Sequence, residues 1–224
     1  MIELNSVLNE EGWIEVSKKE YGSILELAQK LGRPVPSRQN GSIIDRLKPT
    51  LPENAHSKSL SVKYGLESFP FHTDGAYFNC PPRYVLLSLA DDSNLNDRPT
   101  LLIDTNDLDF SEDEKKTLLR DVFIIKGGGR SFLSSILDRS VISGKTIFRY
   151  NKDIMKPAHQ SFQNSLTLMD VKLRSADPVF IKWTSDKIVV IDNWRMLHGR
   201  GTSHINDMNF RILNRVLVES KGGR

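Results

Sequence analysis

A histidine and an aspartate stand two residues apart in the segment 69–76, which reads Phe-Pro-Phe-His-Thr-Asp-Gly-Ala. In an extended chain the side chains of His72 and Asp74 point to the same face, because alternate residues of a strand share a face. An imidazole beside a carboxylate supplies half of a site for a borderline divalent metal ion. By itself the pattern is weak, since a surface histidine next to a turn aspartate gives the same spacing.

A distant histidine that could complete the site follows a second strand-like run. Residues 188–191 are Ile-Val-Val-Ile, a polar turn begins at Asp192, and His198 comes six residues later. Two histidines and one carboxylate on one side of a metal, with the opposite side open, are typical of non-haem Fe(II) oxygenases. His72, Asp74 and His198 are therefore the candidate metal ligands and the candidate catalytic centre.

Two arginines close to the C-terminus indicate anion binding. Arg211 and Arg215 are four residues apart in the β-prone run 210–218, so both would face one side of a strand, roughly 13 Å apart. A buried guanidinium is costly without a partner, so each of them requires an anion. The alternative is that both are edge-strand charges that face water or pair with structural acids.

The composition is that of an ordinary globular chain. Its 224 residues are 38% hydrophobic and 26% charged, which is enough for one sizeable core, and we expect a single domain over residues 1–224. The net charge of +3 is small and the basic residues are scattered, which argues against a nucleic acid or a membrane surface as partner. The single cysteine and the absence of a secretory signal predict a cytoplasmic protein.

The N-terminal part of the chain carries one helix signal and one long polar stretch. Ser17 and Glu20 have capping-box spacing, and this predicts a helix over residues 18–31. Residues 34–59 are rich in Pro, Ser, Asn and charges, which predicts a lid, a binding loop or a disordered segment. We expect residues 1–58 to pack on a β core formed by residues 59–220.

The remainder of the chain is dominated by short β-prone runs. Seven of them predict a mainly β sandwich or barrel of the jelly-roll kind: residues 84–90, 100–104, 122–125, 145–150, 178–183, 187–191 and 210–218. Ser185 and Asp186 between two of these runs predict a hairpin turn. Helices are predicted from Ser111 to about residue 119 and over residues 157–174.

Several segments taken together resemble one enzyme family in order and in approximate spacing. They are residues 71–76, 81–84 (Pro-Pro-Arg-Tyr), 98–101 (Arg-Pro-Thr-Leu), 192–200 (Asp-Asn-Trp-Arg-Met-Leu-His-Gly-Arg) and 211–215 (Arg-Ile-Leu-Asn-Arg). The chain resembles the Fe(II)/2-oxoglutarate-dependent dioxygenases of the taurine dioxygenase and clavaminate synthase group. The resemblance extends from about residue 59 to the C-terminus, and it implies a double-stranded β-helix, a cupin-like jelly roll with flanking helices.

The resemblance also implies roles for individual residues. Fe(II) would be held by the three metal-ligand candidates, while Thr100 and Arg211 would bind the distal carboxylate of 2-oxoglutarate. Arg215 matches a position that meets an anionic group of the substrate in some members, and Tyr77 could line the substrate pocket or pack in the core. Dioxygen would be the other co-substrate.

The activity that follows is hydroxylation, or desaturation, of an unactivated C–H bond with release of succinate and carbon dioxide. The substrate would be a small amino-acid-like metabolite, either free or tethered to a carrier protein. Two other readings keep the fold: a metal-dependent cupin-type lyase or isomerase that does not use 2-oxoglutarate, and a non-catalytic metabolite-sensing module. The residues give no information on the oligomeric state.

Overall fold

The computed structural model describes residues 2–56, 59–93, 98–127, 129–140, 144–201 and 211–220. The α-helices are α1 (Ile2–Glu11), α2 (Lys18–Tyr21), α3 (Ile24–Leu31), α4 (Ser61–Tyr64), α5 (Glu112–Arg120) and α6 (Gln163–Ser175). Short 3-10 turns lie at Pro52–Asn54, Thr105–Leu108 and Gln160–Phe162. In this part of the chain, no helix is long and apolar enough to cross a membrane.

Strands make up most of the remaining regular structure. In chain order they are β1 (Trp13–Ser17), β2 (Gly32–Val35), β3 (Ile44–Leu47), β4 (Phe69–His72), β5 (Tyr84–Leu89), β6 (Thr100–Asp104), β7 (Val122–Gly127), β8 (Arg130–Ser135), β9 (Leu137–Arg139), β10 (Thr146–Phe148), β11 (Met155–Pro157), β12 (Val179–Ile181), β13 (Lys187–Asp192), β14 (Met196–Arg200) and β15 (Leu213–Ser220). The mainly β prediction is confirmed.

Two antiparallel sheets face each other across the core. The large sheet has the order β1-β13-β5-β15-β2, with β3 also paired to β15, and the small sheet has the order β12-β6-β14-β4. One hydrophobic cluster takes its residues from both sheets, for example Leu87 and Val189 from the large sheet and Leu102 and Ile181 from the small one. The space between the sheets therefore contains an apolar cluster to which both sheets contribute.

The central strand β5 shows why the large sheet is apolar on both faces. Val85, Leu87 and Leu89 belong to the cluster between the sheets. Tyr84 and Leu86 alternate with them and pack on the other face, in a cluster that also contains residues of α1 and α3. Strands that are buried on both faces appear in a sequence as continuous hydrophobic runs, as residues 84–90 do.

The predicted helix over residues 18–31 is wrong as one element. The chain forms the four-residue α2, breaks at Gly22, which has φ of +83°, and starts again with α3. The complete capping box belongs to Ser23 and Glu26, not to Ser17 and Glu20. Ser17 caps only α2, through a hydrogen bond from the Lys19 amide.

The long polar stretch 34–59 is also more ordered than predicted, at least in its described part. β2 and β3 both pair with β15, so this segment adds strands to the large sheet. Together with β1 on the other edge, which pairs with β13, the N-terminal residues contribute three strands that the sequence did not predict. The backbone hydrogen bonds of β15 thus override a composition that is typical of a loop.

Two further predictions need correction. Ser185 and Asp186 do not close a hairpin, because β12 lies in the small sheet and β13 in the large one, so the chain crosses between the sheets here. The helix predicted over 157–174 is α6 and starts at Gln163, since residues up to Pro157 pair with β7. The other predicted runs contain strands, although residue 210 lies outside the described residues.

The corrected helix boundary can be tested by removing its cap. Ser23→Ala should lower the free energy of unfolding by about 1 kcal/mol, because the Ser23 hydroxyl accepts a hydrogen bond from the Glu26 amide. Ser6→Ala in the exposed part of α1 is the matched control and should change stability by less than about 0.5 kcal/mol. Equal effects of the two substitutions in urea unfolding would place the cap elsewhere.

Candidate metal centre

The two histidines meet because their strands are neighbours in the small sheet. His198 of β14 lies directly opposite His72 of β4, and the centroids of the two rings are 4.5 Å apart. The register shifts between this pair and the next one, where Arg200 faces Phe69. Such an irregularity bends an edge strand, and Pro70 fits there because it has no amide hydrogen to donate.

Asp74 sits in a tight turn immediately after β4. Gly75 has φ of +63°, and a Cβ at this position would lie 2.8 Å from Pro82 and 2.9 Å from Phe78, so only glycine fits. Asn193, which is completely buried, fixes the backbone of this turn. Its Oδ1 accepts a hydrogen bond from the Asp74 amide, and its Nδ2 donates to the carbonyls of Asp74 and Pro82, all at 2.8 to 2.9 Å.

The ring nitrogens of His72 are arranged as a metal ligand requires. His72 Nδ1 lies 2.9 Å from the carbonyl of Pro70, and because a carbonyl can only accept, Nδ1 carries the proton and Nε2 keeps its lone pair. Burial, followed by repulsion from His198, lowers the pKa of His72 to about 4 against the opposing effect of Asp74. His72 is therefore neutral at pH 7 and able to bind a metal ion.

The carboxylate of Asp74 uses its two oxygens differently. Oδ1 accepts a hydrogen bond from Arg215 Nη1 at 2.6 Å, whereas Oδ2 is buried with no hydrogen-bond partner among the described residues. Burial alone would raise the pKa of Asp74, but the positive charge of Arg215, with help from His198, holds it well below its usual range. Asp74 is thus an anion with one oxygen left for a ligand.

The three side chains fit a divalent ion. His198 Nε2 lies 3.4 Å from Asp74 Oδ2, His72 Nε2 lies 4.0 Å from Asp74 Oδ1, and one ligand atom from each residue can be chosen with all separations within 4.8 Å. Two atoms that each bind an ion at ~2.1 Å and at a right angle are roughly 3 Å apart. The orphaned Oδ2 and the neutral imidazole leave donors that an ion would satisfy. We therefore assign His72, Asp74 and His198 as a candidate metal site.

Thr100 and Arg211 meet in the protein interior, and Thr100 lies on β6, the strand that pairs with the strand of His198. Arg211 Nη2 donates to Thr100 Oγ1 at 3.0 Å, and the indole of Trp183 donates to the same oxygen at 3.2 Å. Because this hydroxyl oxygen already accepts two hydrogen bonds, its own proton is available for an acceptor such as a carboxylate. Arg211 lies two residues before β15 rather than within it, so the predicted strand run is shorter at this end, although Arg211 and Arg215 both reach the interior between the sheets.

Arg211 is a cation in an environment that favours an anion. It is 4% exposed, and burial, followed by repulsion from Arg98 and Arg200, lowers its pKa to about 9. Its Nε has no hydrogen-bond partner among the described residues. A guanidinium that remains mostly charged at pH 7 and keeps a donor in reserve is suited to a carboxylate.

Arg215 holds Asp74 directly, and Tyr77 lies in the turn that Asp74 begins. Arg215 Nη2 donates to Asp45 Oδ2 at 2.8 Å while its Nη1 holds Asp74. Tyr77 donates its hydroxyl to the carbonyl of Ser37, and burial and the charge of Asp74 raise its pKa. Arg215 therefore contacts the candidate ligand Asp74 directly, while Tyr77 lies three residues after Asp74 in the same turn.

Three further residues shape the site, and the sequence assigned no role in it to Asp45 or Asn193. Asp45 lies in a stretch predicted to be a loop. Asn193 lies in the segment 192–200, which resembles the enzyme family, but the resemblance implied no role for Asn193. Arg149 is 1% exposed and donates to the carbonyls of Ala76, Phe78 and Asn79 at 2.5 to 2.7 Å, which fixes the turn that carries Tyr77. Their contacts are with residues distant in the chain, so no local pattern announces them.

The solved structures that are similar to this chain include two oxygenases. Asparagine oxygenase in complex with Fe(II), 2S,3S-3-hydroxyasparagine and succinate has a TM-score of 0.75 at 14% identity, over 97% of this chain and 78% of that one. The oxygenase OrfP in complex with Fe, succinate and (3S)-hydroxy-L-Arg has a TM-score of 0.74 at 15% identity, over 98% and 80%. No protein-family model and no curated protein matches the sequence.

These similarities establish the fold. At 14 to 15% identity the chain shares its architecture with 2-oxoglutarate oxygenases, which have a double-stranded β-helix. The predicted cupin-like jelly roll is thereby confirmed. At so low an identity a shared fold does not determine the activity, which depends on the residues of the site.

The hydrogen bonds from Asn193 to the Asp74 turn can be tested by substitution. Asn193→Ala should lower the free energy of unfolding by about 3 kcal/mol, since it leaves buried backbone groups of Asp74 and Pro82 without partners. It should also weaken Co(II) binding by about tenfold, because the turn no longer fixes the carboxylate. Asn106→Ala, at an exposed position, is the control for both measurements. Undiminished Co(II) affinity in a folded Asn193→Ala protein would contradict the assignment.

Proposed function

We propose that this protein is a non-haem Fe(II)- and 2-oxoglutarate-dependent dioxygenase. It hydroxylates, or desaturates, an unactivated C–H bond of a small amino-acid-like metabolite and releases succinate and carbon dioxide. One observation carries this proposal. A cluster of two histidines and one carboxylate and a buried threonine–arginine pair lie side by side in one protein interior, as a ligand with a metal-binding end and a distant carboxylate requires.

The spacing of the two features supports a short diacid. His198 faces Leu102 across β14 and β6, and Thr100 lies two residues further along β6. Residues two apart in a strand are on the same face and roughly 7 Å from each other, and neighbouring strands are about 4.8 Å apart, so the backbones of His198 and Thr100 are about 8 Å apart. A five-carbon keto diacid can span this interval with its keto acid end at the metal and its distal carboxylate at Thr100 and Arg211.

The residues of this chain would divide the work as follows. His72, Asp74 and His198 would hold Fe(II), and their three donor atoms leave coordination positions for 2-oxoglutarate and dioxygen. Arg211 would grip the distal carboxylate with a planar pair of donors, and the Thr100 hydroxyl would add a third. When bound, the iron would supply the chemistry of the oxidative decarboxylation and of the C–H oxidation. The protein would position the co-substrate and the substrate and exclude side reactions.

The solved relatives of the fold lend this assignment independent support. Asparagine oxygenase was solved with Fe(II), succinate and a hydroxylated asparagine, and OrfP with Fe, succinate and a hydroxylated arginine. OrfP was also solved with Fe and alpha-ketoglutaric acid, at a TM-score of 0.69 and 18% identity over 88% of this chain and 64% of that one. The proposed metal, co-substrate and amino-acid-like substrate are of the same chemical kinds.

The substrate side of the proposal rests on Arg215 and Tyr77. Arg215 contacts Asp74 and Tyr77 follows Asp74 in the same turn, so a substrate placed for oxidation would lie near both. Arg215 would meet an anionic group of the substrate through its Nε, which has no hydrogen-bond partner among the described residues, whether the substrate is free or bound to a carrier protein. We also propose that the chain acts as a single dioxygenase domain in the cytoplasm, with no nucleic acid or membrane as partner.

The metal and the co-substrate can be tested together by anaerobic titration. Fe(II) and 2-oxoglutarate added to the apoprotein should produce the visible charge-transfer band of an iron-chelated keto acid, and Asp74→Ala should abolish it by removing the only anionic ligand. Metal binding without this band would favour the cupin-type lyase or isomerase. Binding of 2-oxoglutarate without succinate release on any amino-acid-like substrate would favour a sensing module.

The co-substrate pocket makes a separate prediction. Arg211→Ala should weaken 2-oxoglutarate binding by at least about tenfold while changing Co(II) affinity less than about twofold, because a charge-assisted hydrogen bond is worth 1.5 kcal/mol or more. Calorimetric titration of the Co(II)-loaded protein measures both constants. Arg33→Ala removes an exposed arginine paired with Glu219 and should leave both unchanged. Equal losses of metal and co-substrate affinity in Arg211→Ala would show that the pocket is misassigned.

A further inference from the structure

Arg215 lies between two carboxylates rather than beside one. Its Nη1 is 2.6 Å from Asp74 Oδ1, and its Nη2 is 2.8 Å from Asp45 Oδ2. Asp45 and Arg215 are directly opposite each other in the pairing of β3 with β15. Because Leu213 and Leu217 of β15 belong to the cluster between the sheets, Arg215, which alternates with Val216, faces that interior as well.

This arrangement selects the oxygen of Asp74 that is free to bind a metal. Arg215 occupies Oδ1, so the rotation of the carboxylate is fixed and Oδ2 is left 3.4 Å from His198 Nε2. Arg215 is in turn held in place by Asp45, since a guanidinium is planar and its two terminal nitrogens are bound in one fixed orientation. The orientation of the ligand oxygen therefore depends on a residue of β3 that is not itself a metal ligand.

Asp45 also offsets the positive charge of the Arg215 guanidinium. If Arg215 had only Asp74 as a partner, its full positive charge would compete with a cation for the same carboxylate. With Asp45 on the other side, the three groups carry a net charge of −1, which is favourable for a divalent ion. Asp45 is largely shielded from water, with a side chain 22% exposed, so this effect is only partly screened.

We infer that Asp45 is a positioning residue of the metal centre, which acts through Arg215 to orient Asp74 and to keep its charge available for the ion. The inference rests on the metal site of the proposed function and extends it to a strand that the sequence did not connect with it. It differs from a purely structural role of Asp45 in joining β3 to β15. A structural role would alter stability but neither the affinity for a metal nor its spectrum.

The test compares two Asp→Asn substitutions in the metal-free, full-length protein titrated with Co(II). Asp45→Asn should weaken Co(II) binding by about tenfold and shift the visible absorption bands of the bound ion, because both the orientation and the charge of Asp74 change. Asp92→Asn is the matched control because it removes the same charge at an exposed position. Asp92 pairs with Arg46, the next residue of β3 after Asp45. It should leave the affinity and the bands unchanged.

Two further variants keep the test decisive if Asp45→Asn is unstable. Asp45→Glu retains the charge and should bind Co(II) within about threefold of the wild-type protein. Arg215→Lys retains a cation but loses the two-pronged donor, so it should weaken Co(II) binding and shift the bands. Thermal unfolding of each variant confirms that the folded protein is being titrated.

The outcomes separate this inference from the proposed function. Wild-type affinity and unchanged bands in Asp45→Asn would overturn the inference and leave the metal site intact. An equal loss in Asp45→Asn and Asp92→Asn would also overturn it, since the effect would then be one of β3 stability or net charge. Absence of Co(II) and Fe(II) binding by the wild-type protein would overturn the proposed function itself. A selective loss in Asp45→Asn, with recovery in Asp45→Glu, is the expected result.

Discussion

The pairing of β4 with β14 at His72 and His198 is the constraint on which the rest of the site depends. It brings two histidines from opposite halves of the chain to an inter-ring distance of 4.5 Å in the interior between two sheets. The turn after β4 then has to place Asp74 beside them, which requires the positive φ of Gly75 and the three hydrogen bonds of Asn193. The geometry of the site therefore depends on the register between β4 and β14 and on the buried side-chain amide of Asn193.

Buried charge is the second principle of this interior. Asp74, Arg211 and Arg215 all lie between apolar sheets, where an isolated charge would be strongly unfavourable. Asp74 and Arg215 neutralise each other, with Asp45 as a further partner, and this raises the pKa of Arg215 despite its burial. Arg211 has Thr100 as its partner and repulsion from two other arginines. The charge of Arg211 is therefore not balanced by a carboxylate among the described residues, and an anionic ligand would balance it. Buried charge of this kind is characteristic of a binding site.

Sequence reasoning located strands well and boundaries of helices less well, for identifiable reasons. The run 100–104 is a strand with the same bounds because its β-branched and apolar residues are continuous and end in a polar turn. Residues 18–31 failed as one helix because Ser17 with Glu20 and Ser23 with Glu26 have the same spacing, and only the backbone at Gly22 distinguishes them. β2 and β3 were missed because their polar sequences form strands only when β15 supplies the hydrogen bonds.

The sequence alone determined which residue types were present for the chemistry: a His-x-Asp pair, a later histidine, and Thr and Arg residues at spacings that resemble one family of oxygenases. These features could be read because strand periodicity and residue chemistry are local properties. The tertiary structure decided which of them meet: that Thr100 shares its hydroxyl with Arg211 and Trp183, that Asn193 holds the Asp74 turn, and that Asp45 joins the site through Arg215. Contacts between residues so far apart in the chain depend on sheet order and register, which no local pattern encodes.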